Sequence, residues 1–280
     1  MDSPHRFNGS VGRTVILAIA VAAIPSAILA SDAGDVSACK AALAKSGAEE
    51  VTFRQTTFTI DDQRILLGNA DNAGFLCIVR MSGVNHVVSH LETGLDTVGK
   101  ITDAAKLDVR GRTFVDTVQL FRGGSNSVRQ FRDVYSITGG KARKVLELPV
   151  RKELAIGEYW LAERNATTWS KAGLSVSQDL LISRAPSRSE AVLYRSRRAF
   201  RLTFVAELSA FVEGAGTCVQ DLVVDKTTWL KSGQRFGYIF QPGLADGTGL
   251  TIKLVRADGS TTVLRDLADL AFLRIEGSST

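Results

Sequence analysis

The feature that most constrains this fold is a series of short apolar or alternating runs separated by turn-forming residues. Such runs cover 114–121, 128–137 and 143–148, with Gly123-Gly124 and Gly139-Gly140 between them. Every second residue of a strand faces the same side of its sheet, and paired glycines supply the positive φ angles of a tight hairpin. The pattern therefore predicts antiparallel strands joined by hairpins, and Pro149 is expected to end this block.

The C-terminal part carries the strongest single hairpin signal. Apolar arms at 250–256 and 261–264 flank an Asp258-Gly259 turn, which is a favoured hairpin dipeptide. The segment 267–274 is compatible with a helix or with a final strand. Residues 200–212 alternate with period two, which favours a strand, although a helix would also bury several of their apolar side chains.

A short helix is predicted at 36–46. Asp35 is a suitable N-cap, and Gly47 stands at the C-cap position. The β pattern follows, in runs at 51–54, 58–60, 64–67 and 75–81. No alternation of strands with helices is visible, which argues against Rossmann and barrel folds. The expected fold class is mainly β, with antiparallel meander or sandwich-like sheets and a short N-terminal helix (α+β minor).

The first thirty residues have the layout of a secretory signal peptide. Arg6 and Arg13 form a positive region, an uncharged apolar run follows, and small residues precede Ser31. Cleavage is expected after Ala30, with a cut after Ala33 as the alternative. The expected organisation is a signal peptide at 1–30, a small helix-plus-meander unit at 31–92 and a larger antiparallel β region at 93–280. The mature chain is expected to carry no transmembrane span.

Export to a bacterial periplasm or to the extracellular space limits the partners. The formal net charge is +5, and an exported basic protein meets anionic glycans and lipid headgroups more readily than nucleic acid. An unknown envelope protein is the other expected partner. At 45% hydrophobic and 22% charged residues, the composition is that of a folded globular protein.

The three cysteines predict one disulfide in an oxidising compartment. Cys39 and Cys77 are the expected pair, because their bridge would attach the helix to the small meander. Cys218 is the odd one, either a buried free thiol or the partner of one of the other two. No CxxC motif or Cys/His cluster indicates zinc, and no cofactor is expected.

Catalysis has weak support in the sequence. His86 and His90 stand four residues apart, as in HExxH proteases, but the intervening residues include no glutamate and the local pattern is β. Both histidines are therefore expected on one solvated strand face, with no metal. No phosphate loop, dinucleotide fingerprint or serine nucleophile elbow is present.

The densest charge feature is a run of arginines. Arg195, Arg197, Arg198 and Arg201 are the candidate binding residues, because guanidinium groups suit two-pronged contacts with oxyanions. Arginines on an exposed strand edge, where they deter pairing with other chains, are the alternative interpretation. The expected function is a non-catalytic exported protein that binds a ligand or partner in the cell envelope or outside the cell. The alternative is a secreted hydrolase whose catalytic residues converge only in the fold.

Overall fold

The computed structural model describes residues 26–48, 51–70, 73–82, 85–93, 99–123, 127–156, 158–184, 192–224, 226–242, 250–264 and 267–277. The prediction of a mainly-β fold with a short N-terminal helix and antiparallel sheets is confirmed. Most of the expected signal peptide lies outside the described residues. Within them, no helix is long and apolar enough to cross a membrane.

The described chain forms one α-helix, nineteen strands and two 3₁₀ turns. They are α1 (Ser26–Lys45), β1 (Thr52–Ile60), β2 (Gln63–Ala70), β3 (Ala73–Ser82), β4 (Asn85–Thr93), β5 (Lys100–Val109), β6 (Arg112–Gly123), β7 (Ser127–Thr138), β8 (Lys141–Ile156), β9 (Tyr159–Ser170), β10 (Gly173–Arg184), β11 (Val192–Val205), a 3₁₀ turn (Ala206–Leu208), β12 (Ala210–Val212), β13 (Gly214–Cys218), β14 (Leu222–Val224), β15 (Thr227–Leu230), β16 (Arg235–Pro242), β17 (Leu250–Val255), β18 (Thr261–Leu264), a second 3₁₀ turn (Leu267–Phe272) and β19 (Leu273–Ile275).

The first sheet has the order β1-β2-β3-β4 and is buried on both faces. One face packs against α1, where Cys39 and Leu43 contact the layer that contains Phe75 and Cys77. The other face, which includes Leu76 and neighbouring aliphatic side chains, packs against the next sheet. Burial on both faces explains why this part of the sequence is continuously apolar and does not alternate.

The second sheet is an eight-stranded meander with the order β12-β11-β10-β9-β8-β7-β6-β5. Its side chains Val115 and Tyr135 complete the core shared with the first sheet. On the opposite face, the ring of Phe114 on β6 lies 4.9 Å from Phe204 on β11 and 5.3 Å from Phe211 on β12. Because β6 and β11 are five positions apart in the sheet order, these contacts show that the sheet curls until its two ends meet.

The third sheet has the order β18-β17-β16-β13-β19, and β14 pairs with β15 in a separate ribbon. Phe236, Ile252 and Leu254 lie in its core. It meets the second sheet at Gly237, where a Cβ would stand 2.3 Å from Cγ1 of Val212. A side chain at this position would overlap that of Val212, so glycine lets the Val212 side chain pack directly against the backbone of β16.

Three local predictions require correction. The helix begins at Ser26, so Asp35 lies inside it and is not its N-cap; the carboxylate instead makes tertiary ion pairs. Pro149 does not end a block, because β8 continues to Ile156 and Pro149 occupies an irregularity in its pairing with β7, a position that tolerates proline. The predicted strand 200–212 is interrupted by the 3₁₀ turn at Ala206–Leu208.

The turns predicted at Gly259 and Gly47 are present in the structure. Gly259 has φ +83° between β17 and β18, and Gly47 has φ +88° after α1. Both are backbone conformations that glycine adopts without strain. The segment 267–274 combines both alternatives, a 3₁₀ turn followed by the start of the last strand.

Candidate anion-binding site

A row of charged side chains crosses four strands of the eight-stranded sheet. Arg151 on β8 is opposite Arg164 on β9, Arg164 is opposite Asp179 on β10, and Asp179 is opposite Arg197 on β11. Adjacent strands are about 4.8 Å apart. The backbones at Arg164 and Arg197 are therefore about 10 Å apart, with one carboxylate between them.

Two further arginines share this side of the sheet. Arg195 and Arg201 alternate with the inward-facing residues of β11 and so project on the same face as Arg197. We call the set Arg151, Arg164, Arg195, Arg197 and Arg201 the arginine face. Small residues, such as Ser177 and Ala199, lie between the charges, so long side chains do not screen the guanidinium groups from a flat ligand.

Asp179 holds two members of the arginine face in place. Arg195 donates from Nε and Nη2 to the two carboxylate oxygens at 3.3 and 3.0 Å. Nε of Arg197 lies 3.5 Å from Oδ2 of the same carboxylate. The hydrogen bonds from Arg195 and the charge of both guanidinium groups lower the pKa of Asp179. The carboxylate therefore stays ionised, but it neutralises only part of the positive charge around it.

Glu153 plays the corresponding role beneath Arg151 and Arg164. Its Oε1 accepts from Nε of Arg151 at 3.0 Å and from Nη2 of Arg164 at 3.3 Å. The Glu153 carboxylate is buried, whereas the side chain of Arg164 is 65% exposed and that of Arg197 is 67% exposed. The arginine face thus has five guanidinium groups against two carboxylates, Asp179 and Glu153. The guanidinium groups of Arg164 and Arg197 remain largely exposed to solvent.

Like charges directly opposite each other on neighbouring strands destabilise a sheet. Arg151 and Arg164 form such a pair in the interior of the sheet, since both β8 and β9 have neighbours on each side. Protection of an exposed strand edge, the alternative interpretation of the arginines on β11, does not account for these two. A sequence without a known strand register gives no sign that Arg151 and Arg164 join the run on β11.

Arg198 is separate from the other predicted binding residues. It projects from the opposite face of β11, where it donates to both carboxylate oxygens of Glu213 at 3.0 and 3.1 Å and to Gln178 at 3.0 Å. Its guanidinium also lies 4.1 Å from the centre of the Phe200 ring. These contacts join the second sheet to the third, so Arg198 is a structural residue by its geometry.

The two strand histidines lie on the same face of β4, as the alternation predicts; His86 is half-buried beside α1 and His90 is exposed. Nδ1 of His86 lies 3.3 Å from Oδ1 of Asp35, and Nε2 of His90 lies 3.3 Å from Oγ of Ser46. Burial raises the pKa of Asp35, while the charge of His86 partly opposes this. His86 thus contacts the helix, whereas His90 lies at the surface beside the residue that follows the helix. Among the described residues, no group of three or more His, Cys, Asp or Glu side chains could hold a metal.

The predicted cysteine pair is brought together by the helix. Cys39 on α1 and Cys77 on β3 are fully buried and approach to 3.0 Å. They stand as two thiols in this structure. The hydrogen bond with Cys77 and burial both raise the pKa of the Cys39 thiol. Cys218 lies in the core of the third sheet.

Two of the tryptophans lie in separate parts of the fold. Trp169 packs edge-on against Phe211, with ring centres 5.5 Å apart, and donates to Asp116 at 3.0 Å. Trp229 lies on β15, with the guanidinium of Arg256 4.7 Å from its ring centre.

Comparisons with protein families, curated proteins and solved structures gave no significant match to this chain.

Proposed function

We propose that this is an exported, non-catalytic protein whose arginine face binds closely spaced oxyanions in the cell envelope or outside the cell. The observation that supports the proposal is the cross-strand row, in which Arg164 and Arg197 stand on either side of Asp179 and Arg151 extends the row beyond Arg164. Phosphate groups of lipid headgroups and the acidic groups of glycans both supply this chemistry.

The chemistry of the side chains supports an oxyanion over other ligands. A guanidinium keeps its charge at any physiological pH and can bind phosphate or carboxylate through two parallel hydrogen bonds. Arginines whose backbones lie about 5 to 10 Å apart on neighbouring strands suit a ligand with several anionic groups. A ligand with one charge would leave most of the row unused.

Oxidation of Cys39 and Cys77 to a disulfide is part of the same proposal. Export would place the chain in an oxidising compartment, and the two buried sulfurs are already neighbours. The pair would then fix α1 to the first sheet. A native protein whose mass gives an N-terminus at Ser31 or Gly34 and one disulfide would support export. A native protein that retains Met1, with every thiol reduced, would contradict it.

The binding test uses R164Q/R197Q in the full mature chain. The variant removes two guanidinium groups whose side chains are 65% and 67% exposed, and the matched control K141Q/K231Q removes two exposed charges elsewhere. Because charge-assisted hydrogen bonds contribute about 1.5–3 kcal/mol each before solvent screening, we expect at least about tenfold weaker binding for R164Q/R197Q. The control should bind like the wild type.

Two probes separate the sources of the oxyanion. Inorganic polyphosphate tests a soluble polyanion, and phosphatidylcholine vesicles with or without phosphatidylglycerol test an anionic lipid surface. Binding to either should weaken as salt is added, and D179N should bind more tightly because it removes the competing carboxylate. Equal binding by R164Q/R197Q and its control, for both probes, would refute the proposed site.

A further inference from the structure

The arginine face is bordered, at one end of its strands, by exposed apolar side chains. Val192 and Leu193, the first two residues of β11, are 56% and 49% exposed. Tyr159, the first residue of β9, is 39% exposed and is opposite Arg184, the last residue of β10. We call Tyr159, Val192 and Leu193 the apolar tip. Single exposed apolar residues are ordinary on protein surfaces, whereas a group of them beside a charged face is a candidate contact surface.

The strand register places part of the apolar tip on the same side of the sheet as the arginines. Residues directly opposite each other in an antiparallel pair share a face, and so do alternate residues of one strand. Val192 is opposite Ser183, and Ser183 is four residues from Asp179 on β10, so Val192 faces the same way as the arginine face. Leu193 is the additional residue at an irregularity in this pairing.

The remaining residue of the tip lies on the other face of the sheet. Tyr159 alternates with Leu161, which is buried among apolar side chains of β8 and β10. Glu158 and Arg184, the charged residues beside Tyr159, are both exposed and opposite in sign, so their charges cancel. A tyrosine has an apolar ring and a polar hydroxyl, which suits a boundary between water and hydrocarbon. The tip therefore differs sharply in charge from the arginine face.

One cross-strand row separates the tip from the row of arginines. Ala162 on β9 is opposite Leu181 on β10, and Leu181 is opposite Arg195 on β11. Glu153 on β8 is opposite Ala162, but its carboxylate is buried and already paired with two arginines. The surface thus changes from apolar to basic within a few residues along the strands.

The distances along the strands match the layers of a lipid bilayer. A strand rises about 3.3 Å per residue, so Arg195 is about 7 Å and Arg197 about 13 Å from Leu193 along β11. The row of Arg151, Arg164 and Arg197 runs across the strands, so it is parallel to a membrane on which the strands stand upright. An apolar surface enters the boundary of headgroups and acyl chains by about 5–10 Å. The row would then lie at the level of the lipid phosphate groups.

We infer that the apolar tip inserts into the surface of an anionic lipid bilayer while the arginine face contacts the phosphate groups. The partner is then a membrane that contains lipids with acidic phosphate headgroups, such as phosphatidylglycerol, and this assignment depends on the function proposed above. Apolar insertion and attraction to anionic lipids each bind weakly alone, and together they give a stable attachment. A soluble polyanion would contact the arginines and leave the tip in water.

The test measures binding of the full mature chain to phosphatidylcholine vesicles that contain phosphatidylglycerol, and to inorganic polyphosphate. V192S/L193S removes exposed aliphatic side chains without a change of charge, and V223S/V263S is the matched control, at side chains that are 57% and 45% exposed. Because two aliphatic side chains no longer enter the acyl boundary, we expect about tenfold weaker vesicle binding by V192S/L193S and unchanged binding of polyphosphate. The control should bind both probes like the wild type.

A second measurement reports the depth of the tip. Vesicles whose acyl chains carry bromine should quench the fluorescence of L193W more than that of the wild type, whereas V223W should show no added quenching. The inference is overturned, and the proposed function stands, if the wild type binds polyphosphate but not vesicles, if V192S/L193S binds vesicles like its control, or if L193W shows no added quenching. A wild type that binds neither probe would overturn the proposed function as well.

Discussion

Oxidation of Cys39 and Cys77 should change the stability of the protein by a large and calculable amount. The bridge would close a loop of about 40 residues, and in the chain-entropy model it raises the free energy of the unfolded state by about 4 kcal/mol at 25 °C. Only a small movement is needed, because Cys39 and Cys77 already approach to 3.0 Å, about 1 Å more than the length of a disulfide bond. For a domain of this size the midpoint of thermal unfolding should fall by about 8–16 °C on reduction.

The assay compares urea unfolding of the oxidised protein with that of the same protein after reduction. C39A/C77A should unfold at least as easily as the reduced wild type and should no longer respond to reductant. C218S is the control, and it should retain the full difference between the two redox states. Equal free energies of unfolding for oxidised and reduced wild type would refute the reasoning. A response lost in C218S would show that Cys218 is the true partner.

Two other predictions concern the interior of the second sheet. F211A should lower the free energy of unfolding, measured with urea, by about 3–5 kcal/mol. The reason is that the ring of Phe211 packs against Phe114, Phe204 and Trp169, with ring centres 5.3–5.5 Å apart. A decrease below about 1 kcal/mol would contradict the closure of the sheet by these rings. Burial raises the pKa of Asp116 above 3.8 in the folded state. The ionised Asp116 therefore destabilises the folded protein at neutral pH, and the free energy of unfolding should rise as the pH falls through the folded-state pKa toward 3.8. D116N should reduce this rise, and an unchanged pH dependence of the unfolding free energy in D116N would contradict the assignment.

Local signals in the sequence were sufficient for the hairpins and for the cysteine pair. Asp258-Gly259 and Gly139-Gly140 mark turns by chemistry that acts within a few residues. Cys39 and Cys77 were identified by their positions at the two ends of a small unit, and the helix places them side by side.

The candidate site depended on information that the sequence does not carry locally. Arg151 and Arg164 join Arg197 only through the pairing of three successive hairpins, β8–β9, β9–β10 and β10–β11. Arg198 is an example of the opposite case, in which residues that are neighbours in the chain do not share a site. It is adjacent to Arg197 in the chain, but alternation places the two side chains on opposite faces of β11.

The strand order of the eight-stranded sheet has a consequence for the folding pathway. Each strand from β5 to β12 pairs with the strand that precedes or follows it in the chain, so almost every new ladder closes only a short loop and adds little entropic cost. We expect assembly to proceed by stepwise addition of hairpins from an early pair. The meeting of Phe114 with Phe204 and Phe211 joins segments about 90 residues apart, and it should be among the last events to occur.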